Sequence, residues 1–300
     1  KAGELLAVTR QAMDKLSRDR IVRRMIPNQI VDRLFEGSLE DAQPGQGKEL
    51  ECTVLFLDIR GFTPLVETME PREAFAFLTS FVTTLTPIIA EHNGFIDKYL
   101  GDGLMAIFDR REHFNEDALN CALALHKETT EYNRIHRSCE IPAFRAGQEA
   151  RKPVAIGISI NVGKVILGAI GSKSRVEFTV LGDAVNVAAR IEELTKALET
   201  SILCHESVAA KQPEIASRRI GNIALRGKEK AVRVCDIFET DPEELRASKL
   251  AYKDDFEEAM ESLWDTKPGR RTQGIQRLEQ LSELHPEDLL LQSLKDFLGF

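Results

Sequence analysis

The sequence predicts an α+β sandwich of the ferredoxin-like, split βαβ type. A strand of apolar residues at 51–57 is followed by a long amphipathic helix pattern from Pro71 to His92. Two further apolar runs flank Gly101-Asp102-Gly103, which is typical of a tight β-hairpin over 94–108. A second helix pattern at 115–137 and more strands follow. The order strand–helix–strand–strand–helix–strand is that of a split βαβ core.

Hydrophobic periodicity also predicts the remaining elements of the central region. After a polar loop at 138–152, a hairpin of 154–161 with 165–168 precedes a strand at 177–181. A helix then runs from Asp183, a good N-cap residue, to about Ala197. Three strands end the region, at 201–204, 220–225 and 232–238. We therefore expect residues 49–240 to form one domain.

The segments on either side have other patterns. Residues 1–48 predict a helix and a linker, and the helix suits a solvated surface helix as well as a parallel coiled coil that delivers a signal to a dimer. Residues 241–300 predict a helical extension, with one helix from the capping segment 241–244 to about Trp264, a second at 271–284 and a third from His285. We expect this extension to pack on the central domain.

Composition and charge narrow the class of protein. The chain has 300 residues, 43% hydrophobic and 29% charged, as in an ordinary globular protein. The net charge of -8 does not favour a nucleic-acid partner. Five scattered cysteines, mostly inside apolar runs, suit reduced thiols in the cytoplasm. No run long enough to span a bilayer is expected, and because the chain starts at Lys1, an upstream membrane tether or sensor stays open.

Two aspartates are notable because each adjoins an apolar strand. Asp58 follows the run 54–57, and Asp102 lies at the tip of the expected hairpin. If the hairpin packs beside the first strand, both carboxylates meet at one end of the sheet. Two acceptor-only ligands at one point suit Mg²⁺, with the phosphates of a nucleotide completing its shell. Singly, each aspartate is more typical of a turn, and only together with a third motif do they favour a metal site.

The third motif is the strand–helix junction at 178–190. Asn186 and Arg190 are four residues apart there, so they share one face of the helix. An amide beside a guanidinium can hold a phosphate or a developing oxyanion. By itself the pair would be typical of the polar face of an ordinary amphipathic helix.

Together the three stretches resemble the class III nucleotidyl cyclase catalytic domain, from Glu49 to about Glu239. The motifs lie at 56–63, 98–103 and 182–190, with weaker pieces at 157–163 and 225–228. The resemblance implies a role for each matching residue. Asp58, Asp102 and the carbonyl of Ile59 would hold two divalent metal ions, Mg²⁺ or Mn²⁺, and Lys98 and Thr179 would bind the purine. Asn186 would orient the ribose, Arg190 would stabilise charge on the phosphates, and Lys228 would contact the triphosphate.

The residues at the purine positions indicate the base. Adenine offers an acceptor at N1 and a donor at N6, whereas the ammonium of Lys98 only donates and the hydroxyl of Thr179 can accept. This favours an adenylate cyclase that converts ATP to cyclic AMP and pyrophosphate. The commonest adenylate-specific pattern of the family has Asp at the position of Thr179. The departure resembles a subclass with Thr, some of whose members respond to bicarbonate, so bicarbonate stimulation is a hypothesis here.

The family geometry further implies a homodimer with shared sites. The two aspartates would come from one subunit, and Lys98, Thr179, Asn186 and Arg190 from the other. Two alternatives stay open: a guanylate cyclase, and a nucleotide-binding regulatory dimer without turnover. A palm-type polymerase or diguanylate synthase shares the split βαβ core, but the Gly-Gly-Asp/Glu-Glu-Phe signature of the latter is absent.

Overall fold

The structure is a computed structural model that describes residue 30 and residues 45–137, 153–172, 175–224, 231–265 and 267–298. The predicted N-terminal helix, apart from the buried Ile30, lies outside these residues. The whole polar loop at 138–152 and the candidate triphosphate ligand Lys228 also lie outside them. The described residues within 51–164 and 182–300 form the larger of two compact units, and those within 1–50 and 165–181 form the smaller.

Strands and helices alternate along the first two thirds of the described chain, and helices alone follow. The strands are β1 Gly47–Ile59, β2 Gly94–Leu100, β3 Gly103–Phe108, β4 Ile156–Ser172, β5 Arg175–Leu181, β6 Ile202–His205, β7 Ser217–Ile223 and β8 Val232–Ile237. The helices are α1 Phe62–Val66, α2 Pro71–Glu91, α3 Phe114–Arg137, α4 Asp183–Ala197, α5 Glu206–Ala209, α6 Glu243–Ala251, α7 Lys253–Leu263, α8 Arg270–Leu284 and α9 Leu289–Leu298.

The sheet has the order expected of a split βαβ core. The path is β2-β3-β1-β4-β6-β8-β7, and β3 lies antiparallel between β1 and β2. The predicted pairing of the Gly-Asp-Gly hairpin with the first strand is confirmed, with Leu57 opposite Leu104. The α+β prediction is likewise confirmed. In the smaller unit, the last part of β4 pairs antiparallel with β5.

Helix α2 packs an apolar stripe into the main core cluster. Phe77, Phe81, Leu85 and Ile89 recur every fourth residue and are buried there. Within the described part of the chain, α2 is also the one helix that could cross a membrane by length and composition. Our expectation that no such run exists is therefore wrong on that criterion. The buried stripe is typical of a helix that covers a sheet.

One predicted hairpin is wrong. The segments 154–161 and 165–168 do not fold back on each other, because the chain continues through them as the single strand β4. Its first part pairs in parallel with β6, with Ile158 opposite Ile202. Gly163 lies inside this strand, and a Cβ there would come within 3.0 Å of the Ala184 side chain. The glycine therefore allows helix α4 to approach the strand and does not form a turn.

The predicted helix from the segment 241–244 to Trp264 is in fact two helices. It breaks at Tyr252, which has φ -112° and ψ 13° between α6 and α7. The Tyr252 hydroxyl lies 2.5 Å from Asp288 and 3.2 Å from the guanidinium of Arg218. Contacts distant in sequence therefore hold the break, while the predicted second and third helices match α8 and α9 closely.

Candidate active site

The two candidate metal-binding carboxylates lie at neighbouring strand ends. Asp58 is the penultimate residue of β1, and Asp102 lies in the turn between β2 and β3. Gly103 lets the two strands approach closely at this point. A Cβ on Gly103 would be 2.6 Å from the carbonyl oxygen of Leu57 and 3.2 Å from Oδ1 of Asp58. The glycine beside Asp102 is thus required by space, in addition to its role in the turn.

The pKa of Asp102 reflects burial and the nearby carboxylate of Asp58. Partial burial, and after it the nearby Asp58 carboxylate, raises the pKa of Asp102 above its usual range. Such a shift indicates negative charge that the protein does not fully neutralise. In the part of the chain that is described, no group of three His, Cys, Asp or Glu side chains could hold a metal by itself. Two carboxylates with a carbonyl therefore fit divalent ions that take their other ligands from phosphate oxygens.

The backbone carbonyl of Ile59, the third candidate metal ligand, lies at the end of β1. Ile59 ends β1 with its side chain buried, so only its backbone oxygen is suited to a metal. The next residue, Arg60, donates its backbone N–H to Ala155 and its Nη2 to the carbonyl of Thr200, at 2.9 Å. A Cβ on Gly157 would be 2.6 Å from that Nη2, so the glycine makes room for the guanidinium.

Sequence reasoning missed a lysine at this site. Nζ of Lys196 lies 2.5 Å from Oδ2 of Asp58 and 3.5 Å from Oε1 of Glu192. Burial alone would lower the pKa of Lys196, but its hydrogen bond to Asp58 and the charge of Glu192 raise it. Burial raises the pKa of Glu192. The i,i+4 spacing of Glu192 and Lys196 could have predicted their shared face, but not that this face meets Asp58.

Helix α4 carries the Asn-Arg pair and is fixed to β4 by two buried side chains. Oγ of Ser159 donates to the carbonyl of Ala188 at 2.7 Å, and Nδ2 of Asn161 donates to that of Ala184 at 2.9 Å. With Gly157 and Gly163, they give a structural reason for the residues at 157–163, one of the weaker pieces of the resemblance. One detail differs from expectation: Asp183 is the first helical residue, and Gly182 is the N-cap. The acid still lies at the positive end of the helix.

Asn186 and Arg190 lie on a different face of α4 from Lys196. Asn186 is exposed, and Nη1 of Arg190 donates to Oε1 of Glu193 at 2.7 Å. At about 100° per residue, the Asn186–Arg190 pair points about 120° away from the face of Glu192 and Lys196 that meets Asp58. The structure therefore brings Asp58 and Asp102 together, and it directs Asn186 and Arg190 of the same chain elsewhere.

The two candidate purine-binding residues, Lys98 and Thr179, lie on different strands. Lys98 lies on β2, half-buried, with Nζ 3.3 Å from Oδ2 of Asp97. Thr179 lies in the smaller unit, buried on β5 opposite Gly168 of β4. Both residue types retain the donor and acceptor chemistry on which the prediction for adenine rests.

A network of buried charges joins the C-terminal helices to the sheet. Arg218 of β7 is fully buried and donates to Asp236 of β8 and, through two nitrogens, to Asp288 before α9. Oγ1 of Thr200 donates to the other oxygen of Asp236 at 2.5 Å. Since the Thr200 carbonyl accepts from Arg60, these hydrogen bonds lead from the C-terminal helices to the strand end that carries Asp58.

A cavity of about 460 Å³ between β7, β8 and α7 is distant in sequence from the candidate residues. Trp264 and Met260 line it, together with three arginines that are all ion-paired, Arg219 with Glu257, Arg233 with Glu206 and Arg270 with Asp265. Because these arginines already have carboxylate partners, the cavity is a poor receptor for a phosphate group.

Comparison with known proteins agrees with this arrangement. The family described as "Adenylate and Guanylate cyclase catalytic domain" matches residues 46–235. An adenylate cyclase of Anabaena cylindrica is 35% identical over 218 residues, which make up 71% of this chain and 42% of that protein. The chain thus spans less than half the length of this relative.

Two solved structures share the fold. A bacterial light-regulated adenylyl cyclase has a TM-score of 0.67 at 24% identity, covering 79% of this chain and 65% of its own. The adenylyl cyclase CyaB of P. aeruginosa has a TM-score of 0.56 at 26% identity, covering 64% of this chain and 95% of its own. The predicted class III cyclase fold is thereby confirmed, and the chain belongs to the adenylate and guanylate cyclase catalytic domain family.

Proposed function

We propose that this chain is the catalytic part of an adenylate cyclase, which converts ATP to 3′,5′-cyclic AMP and pyrophosphate. The observation that carries the proposal is the close approach of Asp58 and Asp102 at the ends of β1 and β2, across Gly103. Two divalent ions, Mg²⁺ or Mn²⁺, bound there would lower the pKa of the ribose 3′-hydroxyl and neutralise charge on the phosphates. Asp58, Asp102 and the Ile59 carbonyl are the residues that would hold them.

The other candidate residues would bind ATP, orient its ribose and stabilise the charge that develops on its phosphates. In the reaction, a bond forms between the 3′-oxygen and the α-phosphorus, and the bond to the β-phosphate breaks, so that pyrophosphate leaves with its electron pair. The hydroxyl proton passes to a phosphate oxygen. Asn186 orients the ribose, and the guanidinium of Arg190 donates to the phosphate oxygens as their charge develops. Arg190 must exchange Glu193 for the substrate, which is easy because the pair is about half exposed.

Adenine is the proposed base because Lys98 donates to its N1 and Thr179 accepts from its N6. Guanine presents a donor at N1 and an acceptor at O6, so in the same orientation the ammonium of Lys98 would face the N1–H donor. The purified chain with Mn²⁺ or Mg²⁺ is expected to form cyclic AMP from ATP at least about tenfold faster than cyclic GMP from GTP. Equal rates would contradict adenine selectivity, and no product from either nucleotide would favour a silent regulatory dimer.

We further propose that bicarbonate stimulates the formation of cyclic AMP. Assays with and without bicarbonate at fixed pH test this, and an unchanged rate rules it out.

The two faces of α4 support a homodimer with shared sites. Since Asn186 and Arg190 point about 120° away from the face that meets Asp58, one chain does not readily complete one site. In a dimer, these residues would reach the carboxylates of the partner subunit, and two equivalent sites would result.

Mixing two inactive variants tests this sharing. Asp102→Ala and Asn186→Ala chains are each expected to be inactive, whereas a reassorted one-to-one mixture should regain about a quarter of wild-type activity, since half of the dimers are mixed and each has one intact site. A mixture of Asp102→Ala with Asp58→Ala is the matched control, because no mixed dimer then has a complete set of carboxylates. Heterodimers that form and stay inactive in the first mixture would exclude shared sites.

We place the domain in the cytoplasm, where ATP is available. Cys121, Cys204 and Cys235 are free thiols, and all three are buried. Cys204 and Cys235 lie opposite each other on β6 and β8, and burial raises the pKa of Cys235 to about 12. Unreactive thiols at such a cross-strand position suit a reducing compartment.

A further inference from the structure

The cation already present at the candidate metal site is the ammonium of Lys196. It lies 2.5 Å from Oδ2 of Asp58, one of the two carboxylates that would hold divalent ions. The Asp58 side chain is 16% exposed and that of Lys196 is 51% exposed. The lysine thus reaches Asp58 from the solvent side, on a flexible side chain, and can leave without disturbing the strand.

A second carboxylate lies within reach of the same ammonium. Oε1 of Glu192 is 3.5 Å from Nζ of Lys196, at the long limit of a hydrogen bond. Among the described residues, this buried oxygen makes no shorter hydrogen bond than its contact with Lys196. Glu192 and Lys196 are one turn apart on α4, so the lysine side chain can move from Asp58 to Glu192 by rotation about its own bonds. The Glu192 oxygen would gain a full hydrogen bond by this movement.

We propose that Lys196 is a tethered cation that neutralises Asp58 in the metal-free protein and moves to Glu192 when a divalent ion binds. The inference rests on the metal site of the proposed function and adds a positioning residue to it. In the metal-free state the ammonium offsets the repulsion between Asp58 and Asp102. An incoming ion must displace it, so Lys196 lowers the affinity for metal and keeps the site from holding a cation too tightly before nucleotide arrives.

The strength of the ion pair sets the size of the effect. A half-exposed pair contributes up to about 1 kcal/mol, so its displacement is easily offset by a doubly charged ion. Coulomb repulsion between the ammonium and that ion adds to the cost while both are near Asp58. Removing the lysine charge should therefore raise the affinity for metal severalfold, rather than by orders of magnitude.

Titration of the 300-residue chain with Mn²⁺ alone, without nucleotide, measures this effect by calorimetry or by the electron paramagnetic resonance of free Mn²⁺. Lys196→Met is expected to bind Mn²⁺ about three- to tenfold more tightly than wild type, and Lys196→Arg should stay near the wild-type value. Lys211→Met, at an exposed lysine outside the site, is the matched control and should not change the affinity. Unchanged or weaker binding by Lys196→Met, or no binding by either protein, would overturn the proposal.

A double-mutant cycle with Glu192→Gln tests the second position of the lysine. With Lys196 present, Glu192→Gln should weaken Mn²⁺ binding about threefold or more, because the displaced ammonium loses its second partner. With Lys196→Met, the same change should have a clearly smaller effect. Equal effects in both backgrounds would contradict the transfer to Glu192, and circular dichroism with thermal unfolding checks that each variant is folded. Because no ATP is used, these outcomes are independent of whether the chain makes cyclic AMP.

Discussion

Replacing Arg218 with methionine is expected to lower the free energy of unfolding by about 3–5 kcal/mol. The guanidinium is completely buried, with Nε 2.9 Å from Asp236, Nη1 2.6 Å from Asp288 and its centre 4.5 Å from the ring of Phe256. Methionine fills much of the same volume but leaves two buried carboxylates without their main partner. Urea unfolding monitored by circular dichroism measures the loss.

Arg219 offers a matched control on the adjacent residue. Its side chain is 49% exposed and pairs with Glu257, whose side chain is 11% exposed, and with the exposed Glu261. Glu257 keeps its hydrogen bond from the backbone N–H of Arg219, so Arg219→Met should cost about 1–2 kcal/mol, clearly less than Arg218→Met. Equal costs at the two positions would mean that the buried network of Arg218 does not hold the C-terminal helices to the sheet.

The loss of unfolding free energy in Arg218→Met should become smaller as the pH falls. Burial opposes ionisation of Asp288, but Arg218 outweighs it and lowers the pKa of this carboxyl below its usual range. In wild type, the stability from Asp288 is therefore present above its unfolded pKa of about 3.9 and is lost as the pH falls through the lower folded value. In Arg218→Met, Lys249 and Tyr252 stay near Asp288, but burial is the largest cause and should raise the pKa of Asp288 instead, so protonation relieves the buried charge. The difference in stability should shrink from pH 8 to pH 5, and a constant difference would exclude this account.

Asp58→Asn and Asp102→Asn are each expected to reduce cyclic AMP formation by about 10³-fold or more at saturating Mn²⁺. Asparagine is nearly the same size as aspartate but lacks the negative charge that attracts a divalent ion. Burial and the charge of Asp58 raise the pKa of Asp102, so Asp102→Asn removes a repulsion, whereas Asp58→Asn loses the ion pair with Lys196, at a cost of about 1 kcal/mol. The readouts are the rate of product formation and Mn²⁺ binding.

Asp254→Asn serves as the control for charge, because Asp254 is an exposed acid at the start of α7. It should retain full activity. If Asp58→Asn or Asp102→Asn kept more than about a tenth of the wild-type rate with unchanged Mn²⁺ affinity, the carboxylates would not be the metal ligands.

The local elements could be read from the sequence because short-range patterns specify them. Two apolar runs flanking the Gly101-Asp102-Gly103 turn predicted the hairpin, and an amphipathic pattern of apolar residues predicted α2. The juxtaposition of Asp58 and Asp102 followed from the pairing of this hairpin with β1. By contrast, the expected hairpin at 154–168 is wrong because the chain continues as the single strand β4, in which Gly163 makes room for Ala184.

By itself, the sequence thus determined the first strand, the Gly-Asp-Gly hairpin and the three long helices of the central region, the two carboxylates at neighbouring strand ends and the shared face of Asn186 and Arg190. Only the tertiary structure decided which side chains from distant segments meet, as Lys196 meets Asp58 and Arg218 meets Asp288. The physical reason is that hydrophobic period and turn chemistry act over a few residues. The partner of a charged side chain depends instead on how whole elements pack, which no local pattern contains.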